Sequence, residues 1–292
     1  MRTRLTLACV VVLLALPLQA QVVREQMLVS ADWLQRRLGT VTLLHVGDAP
    51  GYEASHIPGA VLVELSSLLV QREGMPNELP PIEDLERVFR AAGVNARERI
   101  VLYSSDPLLA ARAWFTLDYL GQGSRASVLD GGLTKWVASG YAATTASVTA
   151  RPGSFQARPV LQTVTRLAAM RELVRLRDQL GPRLVLIDAR PPAQFGGDEA
   201  GADVPHAGHI PGAVNLPYAT SLDATGAFRS VHDLRLLVHQ AGVTRHSANV
   251  VYCRTGMQAS ITYFVLKYLG YDATLYDGSF IEWSRSGEMI WS

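Results

Sequence analysis

The string His-Ile-Pro-Gly-Ala occurs twice in this 292-residue chain, at 56–60 and at 209–213. Three further matches repeat in the same order at nearly the same spacing. Asp84-Leu85 with Ala92-Gly93-Val94 answers Asp233-Leu234 with Ala241-Gly242-Val243. Tyr119-Leu120-Gly121 answers Tyr268-Leu269-Gly270, and Asp130-Gly131-Gly132 with Trp136 answers Asp277-Gly278-Ser279 with Trp283. Four collinear matches at a nearly constant offset point to duplication. A period of roughly 150 residues means a pair of domains, not the 20–50-residue units of a solenoid. The expected layout is a first domain over 25–145, a linker over 146–159 and a second domain over 160–292. The Thr-, Ser-, Gly- and Pro-containing composition from Ala142 to Pro159 marks the linker.

Each copy alternates strand-like and helix-like stretches. In the second, the apolar run 184–187 follows Gly181-Pro182 and reads as a strand. Residues 231–240 read as a helix with Val231, Leu234 and Val238 on one side. Residues 249–252 and 273–276 read as strands. Between them Ile261, Phe264, Val265, Tyr268 and Leu269 recur at helical spacing, closed by Gly270. This alternation predicts an α/β fold: two domains, each a mainly parallel five-stranded sheet with helices on both faces.

Hydrophobic residues make up 48% of the chain and charged residues 18%, as in a folded globular protein rather than a disordered one. Lys plus Arg number 27 against 26 Asp plus Glu, so no basic footprint marks a nucleic-acid partner and no polybasic segment marks a membrane surface. At the N-terminus Arg2 and Arg4 precede an apolar run over 5–16, broken by Pro17 and followed by Ala20. That run is short for a membrane span and has the layout of a cleavable export signal. Cleavage after Ala20, a periplasmic destination and no stable membrane insertion afterwards are expected, with a monomeric mature chain.

The chain has two cysteines, Cys9 and Cys253. Cleavage would remove Cys9 and leave a lone thiol, which is either a small buried hydrophobe or a reactive group. Its neighbours favour the second. Cys253 follows the strand 249–252 and precedes a helix, and in open α/β sheets ligands bind beyond the carboxyl ends of strands. The loop Arg254-Thr255-Gly256-Met257-Gln258 can turn successive backbone N–H groups inward, with a helix N-terminus behind them. Such a nest holds an anion and favours a thiolate. Gly256 lets the chain turn without a Cβ clash. Arg254 adds a permanent positive charge for an anionic donor. Arg190, at the end of the strand 184–188, either reaches the same anion or pairs with Asp188 as a structural bridge.

Three sets of residues give the chain a family resemblance. Tyr52-x-x-x-His56-Ile57-Pro58-Gly59-Ala60 resembles the N-terminal signature of the tandem rhodanese family, and residues 273–283 resemble its C-terminal signature. The six residues from Cys253 to Gln258 match its active-site loop in length. The resemblance runs from about residue 26 to the end. It implies an inactive first domain, a catalytic second domain and a double displacement in which a donor leaves sulfur on Cys253 and an acceptor removes it. The implied partners are a small anionic sulfur donor and a cyanide, thiol or reduced-protein acceptor, with no cofactor. Arg254 resembles the thiosulfate-using branch. Gln258 departs from that branch, and Gln194 stands where the mercaptopyruvate branch places a second arginine.

The first copy supports an inactive role on its own residues. The repeat offset maps Cys253 onto Ser104, a hydroxyl that is not ionised near neutrality without a dedicated base, and Asp106 opposes an anion there. His56 and His209 precede Ile-Pro-Gly turns and are expected to satisfy turn groups rather than catalyse. Trp136 and Trp283 are expected in the core. No cluster has metal-ligand spacing. Two rivals share the fold. A rhodanese-related phosphatase would need arginine six positions after the cysteine, where this chain has Ala259. A sulfur carrier or partner-binding protein would need the same Cys253.

Overall fold

The computed structural model describes residues 25–292. The export-signal reading of residues 1–20 therefore lies outside the described residues. The first domain runs β1 (Leu28–Val29), α1 (Ala31–Gln35), β2 (Thr42–Gly47), α2 (Ala49–Ala54), β3 (Val61–Glu64), the hairpin β4 (Val70–Arg72) and β5 (Met75–Glu78), α3 (Ile82–Ala91), β6 (Ile100–Tyr103), α4 (Pro107–Tyr119), β7 (Ala126–Leu129) and α5 (Gly132–Ala138). The second runs β8 (Val164–Thr165), α6 (Leu167–Leu180), β9 (Leu184–Asp188), α7 (Pro192–Gly196), β10 (Ala213–Asn215), α8 (Val231–Gln240), β11 (Ala248–Tyr252), α9 (Met257–Leu269), β12 (Thr274–Tyr276) and α10 (Ser279–Arg285).

Both five-stranded sheets are wholly parallel. Their orders, β1-β7-β6-β2-β3 and β8-β12-β11-β9-β10, are one ladder built twice. Strand β6 is buried along its whole length and β11 from Asn249 onward, as a central parallel strand covered on both faces requires. The registers correspond. His45 pairs with Tyr103 in the first sheet, and Asp188 with Tyr252 in the second. Ser104 and Cys253 therefore leave equivalent strand ends.

Helices α4 and α9 follow those two strands and are buried on nearly every side. They pack on each other across the domain boundary. Trp114 meets Phe264 edge-on with ring centroids 5.0 Å apart, and Phe115 meets Tyr263 at 5.1 Å. The Tyr263 hydroxyl donates to Asp118 at 2.6 Å. A helix apolar all round belongs inside a core, and here one continuous core spans both domains. The linker segment is irregular yet fastened. Phe155 is fully buried against Phe89, and Arg90 Nε donates to its carbonyl at 2.7 Å. Among the described residues no helix is long and apolar enough to cross a membrane.

Candidate functional site

Cys253 sits at the carboxyl end of β11, and the next four residues curl into the first turn of α9. Gly256 takes a left-handed backbone with φ 86°, a conformation that side-chain-bearing residues rarely adopt. That turn aims its N–H at Cys253, and the Gly256 N–H donates to Sγ at 3.1 Å. Cys253 is 1% exposed and joins the buried core that spans both domains, with its sulfur met by the Gly256 amide. The N–H of Cys253 donates to Ser279 Oγ at 3.3 Å, and its carbonyl accepts the Phe280 N–H at 2.9 Å. Three backbone or side-chain groups thus fix the cysteine without using its sulfur as a donor.

The remaining loop residues divide between floor and rim. Thr255 is buried, while Arg254, Met257 and Gln258 are half-exposed. Arg254 Nη1 donates to the Ala202 carbonyl at 2.9 Å, which holds the side chain along the rim. Gln194 and Arg254 both approach Gly201. The amide oxygens of Gln194 and Gln258 are buried and lack hydrogen-bond partners. Among the described residues no group of three or more His, Cys, Asp or Glu side chains could hold a metal ion.

The first domain reaches this loop through residues that sequence reading missed. Asn77, at the end of the β4–β5 hairpin and itself at φ 64°, donates from Nδ2 to Thr255 Oγ1 at 2.9 Å. The Leu79 N–H donates to Asp277 Oδ2 at 3.0 Å, and Arg112 Nη2 to Asp277 Oδ1 at 3.1 Å. These pairs lie 165 to 198 positions apart in sequence, so no local pattern announces them. Asp277 was visible as part of a repeated motif, but its partners were not. A cavity of about 400 Å³ opens between the hairpin and the second domain, and none of residues 253–258 lines it. Arg72 and Glu78 line it on one side, and Arg166, Glu282 and Arg285 on the other.

Of the two arrangements expected for Arg190, the structure shows the bridge to Asp188, and Nη1 is left buried without a hydrogen-bond partner. Its side chain is fully buried, and its Nε and Nη2 grip Asp188 at 2.6–3.0 Å. Nη2 also donates to the Gly208 carbonyl at 2.7 Å, and the guanidinium lies 3.9 Å from the centre of the Phe280 ring. The Asp-Ala-Arg spacing lets the arginine fold back on the aspartate two residues earlier, and that bridge is the reading the geometry selects. The histidines sit in turns. His56 Nδ1 lies 2.6 Å from the Tyr52 carbonyl and its ring stacks on Tyr52, while His209 Nδ1 lies 2.9 Å from the Phe195 carbonyl and stacks on Phe195. Trp136 and Trp283 are buried, with each indole N–H on a backbone carbonyl.

The rhodanese-like domain family matches this chain twice, at residues 30–139 and 170–286. The chain belongs to the rhodanese-like domain family. It is 32% identical over 277 residues to the sulfur carrier protein TtuD of Thermus thermophilus, covering 89% of this chain and 94% of that one. It is 30% identical to a putative thiosulfate sulfurtransferase of Saccharopolyspora erythraea, over 91% and 95% of the two chains. A probable 3-mercaptopyruvate sulfurtransferase of Pseudomonas aeruginosa is 36% identical over 80% and 82%. Among solved structures, the 3-mercaptopyruvate sulfotransferase SseA of Escherichia coli superposes with a TM-score of 0.75 at 27% identity, covering 87% of this chain and 98% of that one. The chain is thus a tandem rhodanese-family protein, homologous to sulfurtransferases that use different donors.

The first rhodanese-like domain carries a different site at the equivalent strand end. Ser104 Oγ accepts the N–H of Asp106 at 3.2 Å, and Asp106 caps α4 by accepting from the Leu108 N–H at 2.9 Å. A carboxylate therefore occupies the helix N-terminus that the second domain leaves to the cysteine. A cavity of about 320 Å³ lies there, lined by His45, Asp48, Glu64, Ser104 and Asp106. Burial, with some help from His56, holds the His45 imidazole below its usual value, against the opposing pull of Asp48.

Proposed function

We propose that this rhodanese-family chain transfers a sulfane sulfur from thiosulfate to a thiophilic acceptor through a persulfide on Cys253. The thiolate attacks the outer sulfur of thiosulfate. The sulfur–sulfur bond of the donor breaks, sulfite departs with the electron pair, and the outer sulfur remains on Cys253 as a persulfide anion. Cyanide, a thiol or a reduced protein then attacks that outer sulfur and returns the thiolate. The observation that carries this reading is the Gly256 N–H on Cys253 Sγ at 3.1 Å, at the mouth of α9. An inward amide beside a helix N-terminus stabilises a sulfur-centred anion in both the free and the loaded state. Arg254 on the rim supports thiosulfate as donor, and Gln194 in place of a second arginine argues against a carboxylate-bearing donor. Intact mass after thiosulfate treatment tests it. The expected result is a gain of one sulfur, reversed by cyanide and absent in Cys253→Ala. Loading from mercaptopyruvate far faster than from thiosulfate overturns the choice of donor.

Two observations favour a second reading, that of a stoichiometric sulfur carrier. The sulfur is almost fully covered, and one of the relatives is named as a carrier. Many turnovers with excess thiosulfate and cyanide support the enzyme, whereas one sulfur per chain without turnover supports the carrier. We also propose export, supported by the charged-then-apolar residues 1–20. N-terminal sequencing of secreted protein should begin at Gln21, and a retained Met1 overturns it.

A further inference from the structure

We infer that Arg112, a residue of the first domain, is a positioning residue for the sulfur-holding loop of the second domain. This rests on the Cys253 persulfide reading above. Arg112 stands on α4 and is completely buried. One of its nitrogens is fully engaged, for Nη2 donates to the Asn77 carbonyl at 2.7 Å and to Asp277 Oδ1 at 3.1 Å. Nε and Nη1 are buried without any partner. A guanidinium buried with unpaired N–H groups is costly, and an ion pair with Asp277 alone does not account for it.

The position of the unpaired Nη1 gives the reason. It lies 3.2 Å from where a Cβ on Gly256 would stand, packed directly on the residue whose N–H holds Cys253 Sγ. By a second route Arg112 fixes Asn77, which in turn holds Thr255 at 2.9 Å. Two of the loop residues between Cys253 and α9 are thereby braced from the other domain by one side chain. Asp277 cannot cancel the positive charge on its own behalf alone, because its carboxylate is shared with the Leu79 N–H at 3.0 Å and Arg166 at 3.3 Å. Glu78 faces the same cluster, 3.5 Å from Arg72 and 3.7 Å from Arg166. Burial, followed by the Asp277 charge, pushes its carboxyl above the usual range, which reduces its opposing charge. Other charged groups nearby are Arg254 on the rim, Glu282 and Arg285 on α10, and the buried Asp188–Arg190 pair against Phe280. In a poorly solvated site, a partly uncompensated cation packed on Gly256, whose N–H holds the sulfur, favours the anionic form.

The test reads loop chemistry rather than fold. The full chain and its R112M, R112K and D277N variants are alkylated at Cys253 with iodoacetamide across pH, and single-turnover sulfur loading from thiosulfate is timed by intact mass. R112M should move the alkylation profile upward and slow loading about tenfold, as loss of a nearby cation implies. R112K should recover most of both. D277N, nearly isosteric, leaves Arg112 less compensated and should move the profile downward. An R112M chain that unfolds cooperatively with a wild-type profile overturns the inference. If R112M does not fold, D277N decides: a downward shift supports Arg112, and an unmoved or upward profile overturns it. A wild-type chain that takes no sulfur defeats the persulfide reading, while the alkylation profiles still judge Arg112.

Discussion

The N–H of Gly256 and the sulfur of Cys253 meet at 3.1 Å only because Gly256 holds a left-handed backbone. Its missing Cβ also leaves room for Arg112 Nη1 and the Asp277 carbonyl, each 3.2 Å from the place a Cβ would take. Alanine there meets backbone strain of about 1–2 kcal/mol and two crowded contacts at once. Gly256→Ala should lower stability by about that amount in urea titration and should greatly slow sulfur loading. Loading at the wild-type rate would mean that the amide does not matter.

Ser279 tests the same cup from the opposite side. Its φ is 53°, and its counterpart in the first domain, Gly132, has the same angle. The second domain thus places a non-glycine residue where glycine is the easy choice. What offsets the strain is the hydroxyl, which accepts the Cys253 N–H and donates to the Tyr276 carbonyl at 2.8 Å. Ser279→Ala keeps the strain and loses both bonds, whereas Ser279→Gly relieves the strain. The glycine variant should be more stable than the alanine variant by roughly 1 kcal/mol, and both should load sulfur more slowly than wild type. Equal stabilities would remove the strain argument.

Arg190 and Asp188 form a fully buried pair. Removing one partner of such a pair leaves an uncompensated charge, at a cost of about 3–5 kcal/mol. Arg190→Met should therefore lower the unfolding free energy by an amount in that range. A variant of unchanged stability with a weakened KM for thiosulfate would restore the donor-binding role.

The two sheets were legible because duplication constrains twice. Every strand and helix read in the second copy has a partner in the first, and the buried runs 100–103 and 249–252 fit central parallel strands covered on both faces. The placement of Cys253 at a strand end ahead of a helix was legible because strand, cysteine, glycine-bearing loop and helix are contiguous. The fate of Arg190 was not, since the same two-residue spacing permits an outward or a folded-back side chain and only packing against Phe280 and Gly208 selects between them. Asn77 and Arg112 were also hidden. Their relation to the loop is set by how α4 docks on α9, a tertiary fact without a sequence period.

His45 gives the fold a calculable response to acid. Burial lowers its affinity for protons below that of an ordinary histidine near 6.5, so in mildly acidic solution the unfolded chain binds a proton that the folded chain refuses. A depressed folded value means that the stabilising contribution is present above 6.5 and is lost as pH falls below it. The denaturation midpoint should therefore decline below that pH, and His45→Gln should flatten this part of the profile. A His45→Gln chain with an undiminished slope would place the acid response elsewhere.

Moving the cysteine between domains separates the thiol from its setting. Ser104 leaves a strand end equivalent to that of Cys253, so Ser104→Cys in a Cys253→Ala background places sulfur at the same point of the same ladder. Its surroundings differ in charge and in shape. The helix N-terminus behind Ser104 is already capped by the Asp106 carboxylate, and Asp48 and Glu64 line the same cavity. An anionic donor would approach three carboxylates with no arginine or lysine lining that cavity, and a persulfide anion would meet the same field. Position on the sheet alone would predict sulfur loading, whereas the electrostatic setting predicts none. The doubly substituted chain should gain no sulfur from thiosulfate by intact mass, although iodoacetamide should still find the new thiol. Replacing Asp106 by asparagine in that background, which keeps a helix cap while removing its charge, should be the change that begins to restore loading.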